Sequence, residues 1–503
     1  MSRLQSYCNQ LVTFKATNRE DLPPRLRNLP LQQADIFSPV VSSTRLKALP
    51  APPFLVPSII ETIMSSSYRS VTSVIAGEAD AFCAHAARDS GGIIFTSDSD
   101  LLVHDLGNNG RVILFRDLES IHMPSKGKCL KAQEYHPSAI ASKFGLPNLV
   151  ELAFFMSEDN HRSFTDGARL AKEKRPISKE FRAFQAQYAS LPKLSRLDSS
   201  LMPEDVRSLV GRLDPRVSEL LHRIRFEHGA NSNTSTLLQQ STLTMYLPFI
   251  IDDPTRTSAW RAGGSLRTLA YSLLKLLDSD IVIVNEYERK GTRVAATPTT
   301  LLPPDSIVKD LKQLSDTIRS SIVEHSDMAL TSRWRKLGVQ LICHSNIESE
   351  KQPPSSEDLI RLMVGKSEGV MTWSFVHASA QMQAALYSVR MLSQLAPIVL
   401  ALQEDSKEHR DVILALYEAN ILLKDLPGLA ELLDDNSSVP AAEEEAAKSS
   451  VEDIFRVLGV TEQQPETSSS KRKKKRKKKG EHAQERSAPD TAWEKGNMFS
   501  SLA

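Results

Sequence analysis

Cysteines are few in this sequence, and their spacing excludes two common kinds of site. The 503 residues include only four cysteines, and no two of them form the CxxC pair that is typical of zinc or redox sites. We therefore expect neither a zinc site nor a disulfide framework, and a reducing compartment fits this usage. The four are Cys8, Cys83, Cys129 and Cys343.

Long apolar runs are also lacking. The N-terminus has no apolar signal core, and the most apolar region, Trp373 to Gln403, is interrupted by polar residues and by Pro397. A membrane-spanning helix needs about 20 consecutive, predominantly apolar residues. We therefore expect that no segment spans a membrane.

Excess charge is nearly absent overall, because one basic run balances an acidic body. Subtracting the nine cations of that run from the formal net charge of +1 leaves −8 on the rest of the chain. After Asp434 the composition is too polar to form a core, so we predict a disordered tail over 435–503, interrupted by one short helix over Val451 to Val460. The run predicts a nuclear address, a nonspecific polyanion contact, or both. It consists of Lys471, Arg472, Lys473, Lys474, Lys475, Arg476, Lys477, Lys478 and Lys479.

The segment from Val71 to Phe95 predicts one βαβ unit. Val71 to Ala76 is a short β-branched run, Glu78 to Arg88 has helical composition, and Gly91 to Phe95 is a second apolar run. Strands in such a unit lie parallel, and ligands bind at their carboxyl ends. A further strand is predicted at Arg111 to Phe115.

Four carboxylates follow these two predicted strands. Glu78 and Asp80 come after the first, and Asp98 and Asp100 after the second. Like charges at one rim must hold protons or share cations, and oxygen ligands without His or Cys suit Mg²⁺ or Mn²⁺. The alternative is that these acids only cap helix N-termini and are solvated. Capping leaves the second acid of each pair unexplained, which favours the metal interpretation.

The same residues carry a resemblance to a known family. The segments GEAD at 77–80 and TSDSDLL at 96–102, with the alanine-containing helix between them, resemble the internal motif of the XPG/flap endonuclease superfamily, a branch of the PIN-like nucleases. Within this superfamily, the sequence of these segments is most similar to that of the Asteroid-type proteins. The resemblance implies a nuclease in which Glu78, Asp80, Asp98 and Asp100 are catalytic and bind two Mg²⁺ or Mn²⁺ ions that hydrolyse DNA or RNA.

The resemblance extends unevenly along the chain. Leu152 to Asn160 is similar to the family segment that carries a further acid, which implies Asp159 as a supporting metal ligand. The glycine-rich helical hairpin that grips DNA in this family has no recognisable counterpart in His161 to Lys174. Two N-terminal acids of the family also have no counterpart before Glu78. We expect an incomplete or alternatively started sequence, the alternative being that Met1 to Pro57 completes the sheet in another way.

A second set of motifs lies further along and resembles the Asteroid-type C-terminal region. The adjacent acids Asp252 and Asp253 precede a proline, which favours a turn over a metal site. Arg289, Lys290 and Arg293 lie beside a tyrosine in sequence and could contact phosphate, although an ordinary solvated loop is an equal alternative.

The predicted fold is α/β: a PIN-like parallel sheet with flanking helices, incomplete at its N-terminus, followed by a mostly α-helical domain and the basic tail. A 3.6-residue apolar period predicts helices at 305–325, 357–364, 373–402 and 408–433. The predicted divisions are an N-terminal helix with a proline-rich connector (1–57), the nuclease domain (58–170), the Asteroid-type extension (171–300) and the helical domain (301–434).

Two functions of different classes follow. One is a structure-specific, two-metal nuclease that is weak or inactive in this chain. The other is a catalytically degenerate nuclear scaffold that binds nucleic acid, or protein partners through its helical domain or tail.

Overall fold

The structure is a computed structural model. It describes residues 2–17, 53–74, 79–123, 125, 127–159, 161–173, 176, 178–188, 204–224, 241–323, 328–366, 371–403, 406–433 and 439–460. Glu78, most of the proline-rich connector and the basic run lie outside these ranges.

The described elements are helices and six strands. The helices are α1 (Ser2–Thr17), α2 (Leu55–Ser65), α3 (Ala79–Ser90), α4 (Pro137–Lys143), α5 (Val150–Glu158), α6 (Phe164–Glu173), α7 (Lys179–Ala186), α8 (Glu204–Val210), α9 (Pro215–His222), α10 (Gly264–Leu274), α11 (Pro304–Ile318), α12 (Leu330–Glu348), α13 (Ser356–Val364), α14 (Trp373–Gln403), α15 (Arg410–Leu423), α16 (Leu429–Leu433) and α17 (Ala441–Val457). The strands are β1 (Ile93–Thr96), β2 (Arg111–Met123), β3 (Gly127–Tyr135), β4 (Ser241–Tyr246), β5 (Ile281–Lys290) and β6 (Arg293–Thr300).

The chain forms two compact units. We call the described residues within 79–188 the rim unit, and those within 2–17, 53–74 and 204–460 the helical unit. The two units divide the chain differently from the predicted domains, since α2 belongs to the helical unit and the described residues within 171–188 belong to the rim unit. The reason is a tertiary contact: Glu61 on α2 accepts the N–H of Leu429 at 2.8 Å and pairs with buried Arg390 of α14.

The rim unit is built on a three-stranded sheet in the order β1-β2-β3. β1 and β2 are parallel, with Ile93 opposite Arg111 and Thr96 opposite Leu114, whereas β2 and β3 form an antiparallel hairpin. α3 ends at Ser90 because Gly91 takes a left-handed conformation, with φ of +67°. The chain then enters β1, so the predicted helix and second strand are confirmed.

The first predicted strand is wrong. Ser67–Val71 is a 3₁₀ helix, residues 72–74 have no regular structure, and 75–78 lie outside the described residues. The described part of the rim unit therefore has a mixed three-stranded sheet and not a complete PIN-like parallel sheet. Ile93 and Phe95 of β1 are 41% and 52% exposed. The β-branched composition of this segment did not make residues 71–74 a strand, since β propensity depends strongly on neighbouring strands.

The helical unit contains a second sheet, in the order β4-β5-β6. β4 and β5 are parallel and are connected through α10, and β5 and β6 form an antiparallel hairpin. α10 buries nearly all of its residues, and α12 and α14 complete a core that includes fully buried Tyr271, Trp334 and Tyr387. α1 packs on β6, where the Gln5 side chain bonds the backbone of Thr292 and Val294.

The predicted C-terminal helices are confirmed, with one correction at the end. α11, α13, α14, α15 and α16 lie where the apolar period placed helices. The predicted tail began at 435, yet α17 occupies 441–457 and buries Ala447, Val451, Ile454 and Phe455 against neighbouring helices. Its sequence begins with alanines and glutamates, which are strong helix formers, so polar composition alone misplaced the boundary.

α14 is long and apolar enough to cross a membrane by length and composition alone. However, 67% of its most apolar 18-residue stretch is buried inside the helical unit. This is the burial that a central core helix has.

Candidate functional site

Three of the four predicted catalytic acids lie in the described part of the rim unit. Asp80 is in the first turn of α3, while Asp98 and Asp100 follow β1 directly. We call Asp80, Asp98 and Asp100 the acidic rim. The fourth acid, Glu78, immediately precedes α3 but lies outside the described residues.

The end of β1 fixes the two later acids. The N–H of Asp98 donates to Thr96 Oγ1 at 2.9 Å, and Asp98 Oδ1 accepts the N–H of Asp100 at 2.9 Å. Asp98 therefore caps the 3₁₀ helix Ser99–Leu102, as the helix-capping alternative predicted. Leu101 and Leu102 are buried below this turn, which holds Asp100 at the surface of the sheet end.

The acidic rim has common neighbours that sequence reasoning did not single out. The rings of His104 and Tyr188 meet edge to face, with centroids 5.0 Å apart. Burial raises the pKa of Tyr188 to about 12, and the carboxylates of Asp100, Asp98 and Asp80 add to the shift. All three carboxylates are therefore near one phenol.

Two of the same carboxylates also act on the imidazole of His104, where burial and charge have opposite effects on the pKa. Burial lowers the pKa of His104, and the carboxylates of Asp100 and Asp98 partly oppose that shift. His104 lies two residues after the TSDSDLL motif at 96–102, so its position beside the motif was a signal in the sequence. Tyr188 is about 90 residues from the rim along the chain, and no local pattern could have connected it to these acids.

A cavity of about 240 Å³ lies beside this pair of rings. His104 and Tyr188 line it together with residues of α3, including Ala81, His85 and Arg88. The phenol of Tyr188 and the imidazole of His104 therefore face this cavity, and the carboxylates that raise their pKa values contribute a negative local field.

The donor chemistry of the acidic rim suits a divalent ion, but its geometry is not a complete ligand set. Carboxylate oxygens are the ligands that Mg²⁺ prefers. Within the described ranges, no group of three or more His, Cys, Asp or Glu side chains is placed to hold a metal ion. Asp80, Asp98 and Asp100 alone therefore do not fit a two-metal centre.

Asp159, the predicted supporting ligand, occupies a turn. It follows the last residue of α5, and its Oδ1 accepts the N–H of His161 at 3.0 Å. α5 itself is buried through Leu152 to Met156, so the apolar helix before this acid is confirmed. The described structure does not gather Asp159 with the acidic rim into a metal-binding group.

One of the three predicted phosphate contacts is a buried structural cation. Arg289 is only 5% exposed and binds Asp252 through two bonds, Nε to Oδ1 at 2.7 Å and Nη2 to Oδ2 at 2.6 Å. The suggestion that Arg289 contacts phosphate is therefore wrong. Lys290 and Arg293 are exposed on either side of the β5–β6 turn.

The neighbouring acids have structural partners too. Asp253 accepts the N–H of Thr255 at 2.9 Å and pairs with Lys15 of α1, which fits the turn interpretation. The N–H of Asp253 donates to Nδ1 of buried His377 at 3.3 Å. Burial, which is the largest cause, lowers the pKa of His377 to about 4.

Comparison with known proteins identifies one family. Residues 51–301 match the family model described as "XPG domain containing". This span includes the acidic rim, the rest of the rim unit, and the second sheet through β6. Neither a curated protein nor a solved structure matches the chain.

Proposed function

Because this chain belongs to the XPG-domain family of PIN-like proteins, we propose that it is a nucleic-acid-binding protein of nuclease ancestry with little hydrolytic activity of its own. The observation that carries the proposal is the acidic rim: its three carboxylates act on Tyr188, and among the described residues they are not part of a group placed to hold a metal ion. Within the family, the sequence of the segments that carry the rim acids, 77–80 and 96–102, is most similar to that of the Asteroid-type proteins.

The low activity follows from the geometry that phosphodiester hydrolysis requires. Two-metal nucleases fix their ions about 3.5–4 Å apart. A displacement of about 1 Å can cost on the order of a hundredfold in rate. The described carboxylates of the rim do not form such a ligand set, so we expect weak ion binding and slow cutting.

Metal binding is the first test. We expect Mn²⁺ to bind the intact protein weakly and the double variant Asp98→Asn/Asp100→Asn more weakly still, because two carboxylates that attract the ion are removed. Isothermal titration calorimetry measures both. The matched control is Asp105→Asn, which changes an exposed aspartate paired with Arg88 in the same unit and should bind as the wild type does. Equal heats from wild type and the double variant would overturn this assignment.

Cleavage is the second test. Labelled flap, bubble and single-stranded DNA, and a single-stranded RNA, are incubated with the full chain in Mg²⁺ and in Mn²⁺, beside Asp98→Ala. We expect binding with little cleavage in every lane. Robust cleavage that disappears in Asp98→Ala would overturn the low activity and show that the acids form a working site. Failure to bind any of these nucleic acids would overturn the binding function.

Lys290 and Arg293 are the proposed phosphate contacts. Both are exposed beside the β5–β6 turn, and each phosphate contact contributes to the salt dependence of binding. We expect Lys290→Ala/Arg293→Ala to weaken single-strand binding and to reduce the salt slope by about 1 to 2. Lys309→Ala, an exposed lysine on α11, is the matched control. Unchanged affinity and slope in the double variant would place the contact elsewhere.

Nuclear localisation is proposed for the basic run at 471–479. Nine consecutive cations are a density typical of nuclear addresses. Deleting the run in a fluorescent fusion should release the protein into the cytoplasm. Unchanged nuclear fluorescence would assign the address to another segment.

A further inference from the structure

α15 is apolar on two sides, although a surface helix normally needs only one apolar side. Its inner side, including Val412, Leu416 and Ala419, is buried in the core of the helical unit. Its outer side exposes Leu414 by 56%, Tyr417 by 59% and Ile421 by 47%. Their spacing of three and four residues places these side chains in one row along the helix, which we call the α15 stripe. A contiguous exposed apolar row of this kind marks an interaction site.

Exposed charges occur at both ends of the stripe. Arg410 and Asp411, in the first turn of α15, precede it, and Lys424 and Asp425, in the turn that continues from the end of α15, follow it. Each end therefore has one cation followed by one anion. Glu418 lies beside Tyr417 at the centre, 3.7 Å from Arg319, the residue that follows α11.

This order of residues is complementary to itself when two copies of the helix run antiparallel. With Tyr417 and Glu418 of the two copies opposed at the centre, Leu414 faces Ile421 of the second copy. Further out, Arg410 faces Asp425 and Asp411 faces Lys424. The two-fold symmetry makes every one of these pairs occur twice. A parallel arrangement would oppose Arg410 to Arg410 and Lys424 to Lys424, which disfavours it.

We propose that the α15 stripe is the interface through which two copies of this chain form an antiparallel, two-fold symmetric dimer. The apolar row supplies the buried area, and the four terminal charge pairs fix the direction and the register. A helix of 14 residues is about 21 Å long, so the contact is smaller than a standard interface of about 1,600 Å². The dimer is therefore weak and reversible, and increasing salt weakens it further.

The experiment uses charge exchange on the full chain. In the Asp411→Lys variant, two lysines oppose each other where positions 411 and 424 of the two copies meet, and this happens twice in the dimer. In the Lys424→Asp variant, two aspartates oppose each other at the same two places. Each variant alone should raise the dimer dissociation constant about tenfold or more, since two charge pairs become repulsive. An equimolar mixture of the two variants restores every pair as opposite charges. The mixture should therefore dimerise like the wild type.

Sedimentation velocity over a concentration series measures all four samples, and circular dichroism checks that each variant folds. Asp89→Lys makes the same chemical change at an exposed aspartate of α3 and should leave dimerisation unchanged. A wild type that stays monomeric throughout the series would overturn the proposal and leave the stripe to a different protein. A dimer that neither variant weakens, or that the mixture fails to restore, would equally overturn the assignment to α15.

Discussion

The two sheets of this protein have the same strand pattern, but the carboxylates beside them have different kinds of neighbours. In each sheet, the first and second strands are parallel, and the second and third strands are antiparallel. Beside the second sheet, Glu286 and Asp252 each contact one arginine through two bonds, Arg267 and Arg289 respectively. At the first sheet, the carboxylates of the acidic rim instead have a phenol and an imidazole as common neighbours.

The comparison shows that an acidic sequence motif does not determine its own role. Asp252-Asp253 and Asp98-Ser99-Asp100 look alike as short acidic segments that follow strands. The first has a structural role because an arginine 37 residues away along the chain binds Asp252. The second keeps a local negative field, which is the property that a site for cations requires.

The largest expected effect is on stability, and it comes from breaking the buried ion pair between Arg267 and Glu286 in the helical unit. Arg267 donates to Glu286 at 2.6 Å and 3.0 Å and to Ser388 at 3.0 Å. Arg267→Met leaves the Glu286 carboxylate buried without its cation, so we expect a loss of about 3–5 kcal/mol in the free energy of unfolding. Chemical denaturation measures this loss.

Two further variants decide whether charge is the cause. Arg293→Met changes an exposed arginine near the same sheet and should alter stability by no more than about 0.5 kcal/mol. Adding Glu286→Gln to Arg267→Met removes the remaining buried charge and should recover part of the loss, while Tyr271 keeps an acceptor. A loss below about 1 kcal/mol in Arg267→Met would contradict the importance of the pair.

The second effect is a pH dependence that arises from His377. The pKa of this histidine falls from 6.5 to about 4 on folding, chiefly through burial. The unfolded chain therefore binds its proton first as pH decreases, and stability falls between about pH 6.5 and 4. The full shift corresponds to about 3 kcal/mol.

Denaturation at a series of pH values isolates this contribution. His377→Gln cannot take up the proton, so the difference in stability between wild type and variant should shrink as pH falls through that window. A difference that stays constant from pH 7 to pH 4.5 would show that the histidine titrates normally in the folded chain.

Local patterns predicted the elements that local chemistry determines. The 3.6-residue period located α11, α13, α14 and α15, and the short apolar run located β1. The start of α17 was missed because its buried side begins with alanine, and the strand prediction was wrong at 71–74 because strand pairing is a tertiary property.

The candidate site divides in the same way. The acids of the rim were predicted from two short motifs, and their elements confirm that Asp98 and Asp100 follow a strand. Tyr188 was missed because it lies in the turn after α7, far along the chain from the rim. Arg289 was misassigned because its partner, Asp252, is brought to it only by the folding of the second sheet.

The smallest expected effect tests the electrostatics of the rim directly. The pKa of Tyr188 is about 12, with burial as the first cause and the rim carboxylates as the next. Asp98→Asn/Asp100→Asn should therefore lower the pKa of Tyr188 while leaving it above the ordinary value of 10.0, because burial remains. The ¹³Cζ chemical shifts of labelled tyrosines report the titration, and Tyr188→Phe assigns the signal among the nine tyrosines. Mg²⁺ added to the wild type should shift the pKa of Tyr188 in the same direction, since a bound cation offsets the same charges, and the double variant should lose most of that response. A pKa that neither the substitutions nor Mg²⁺ alters would mean that the three carboxylates do not act on Tyr188, and the electrostatic contrast between the two sheets would then be incorrect.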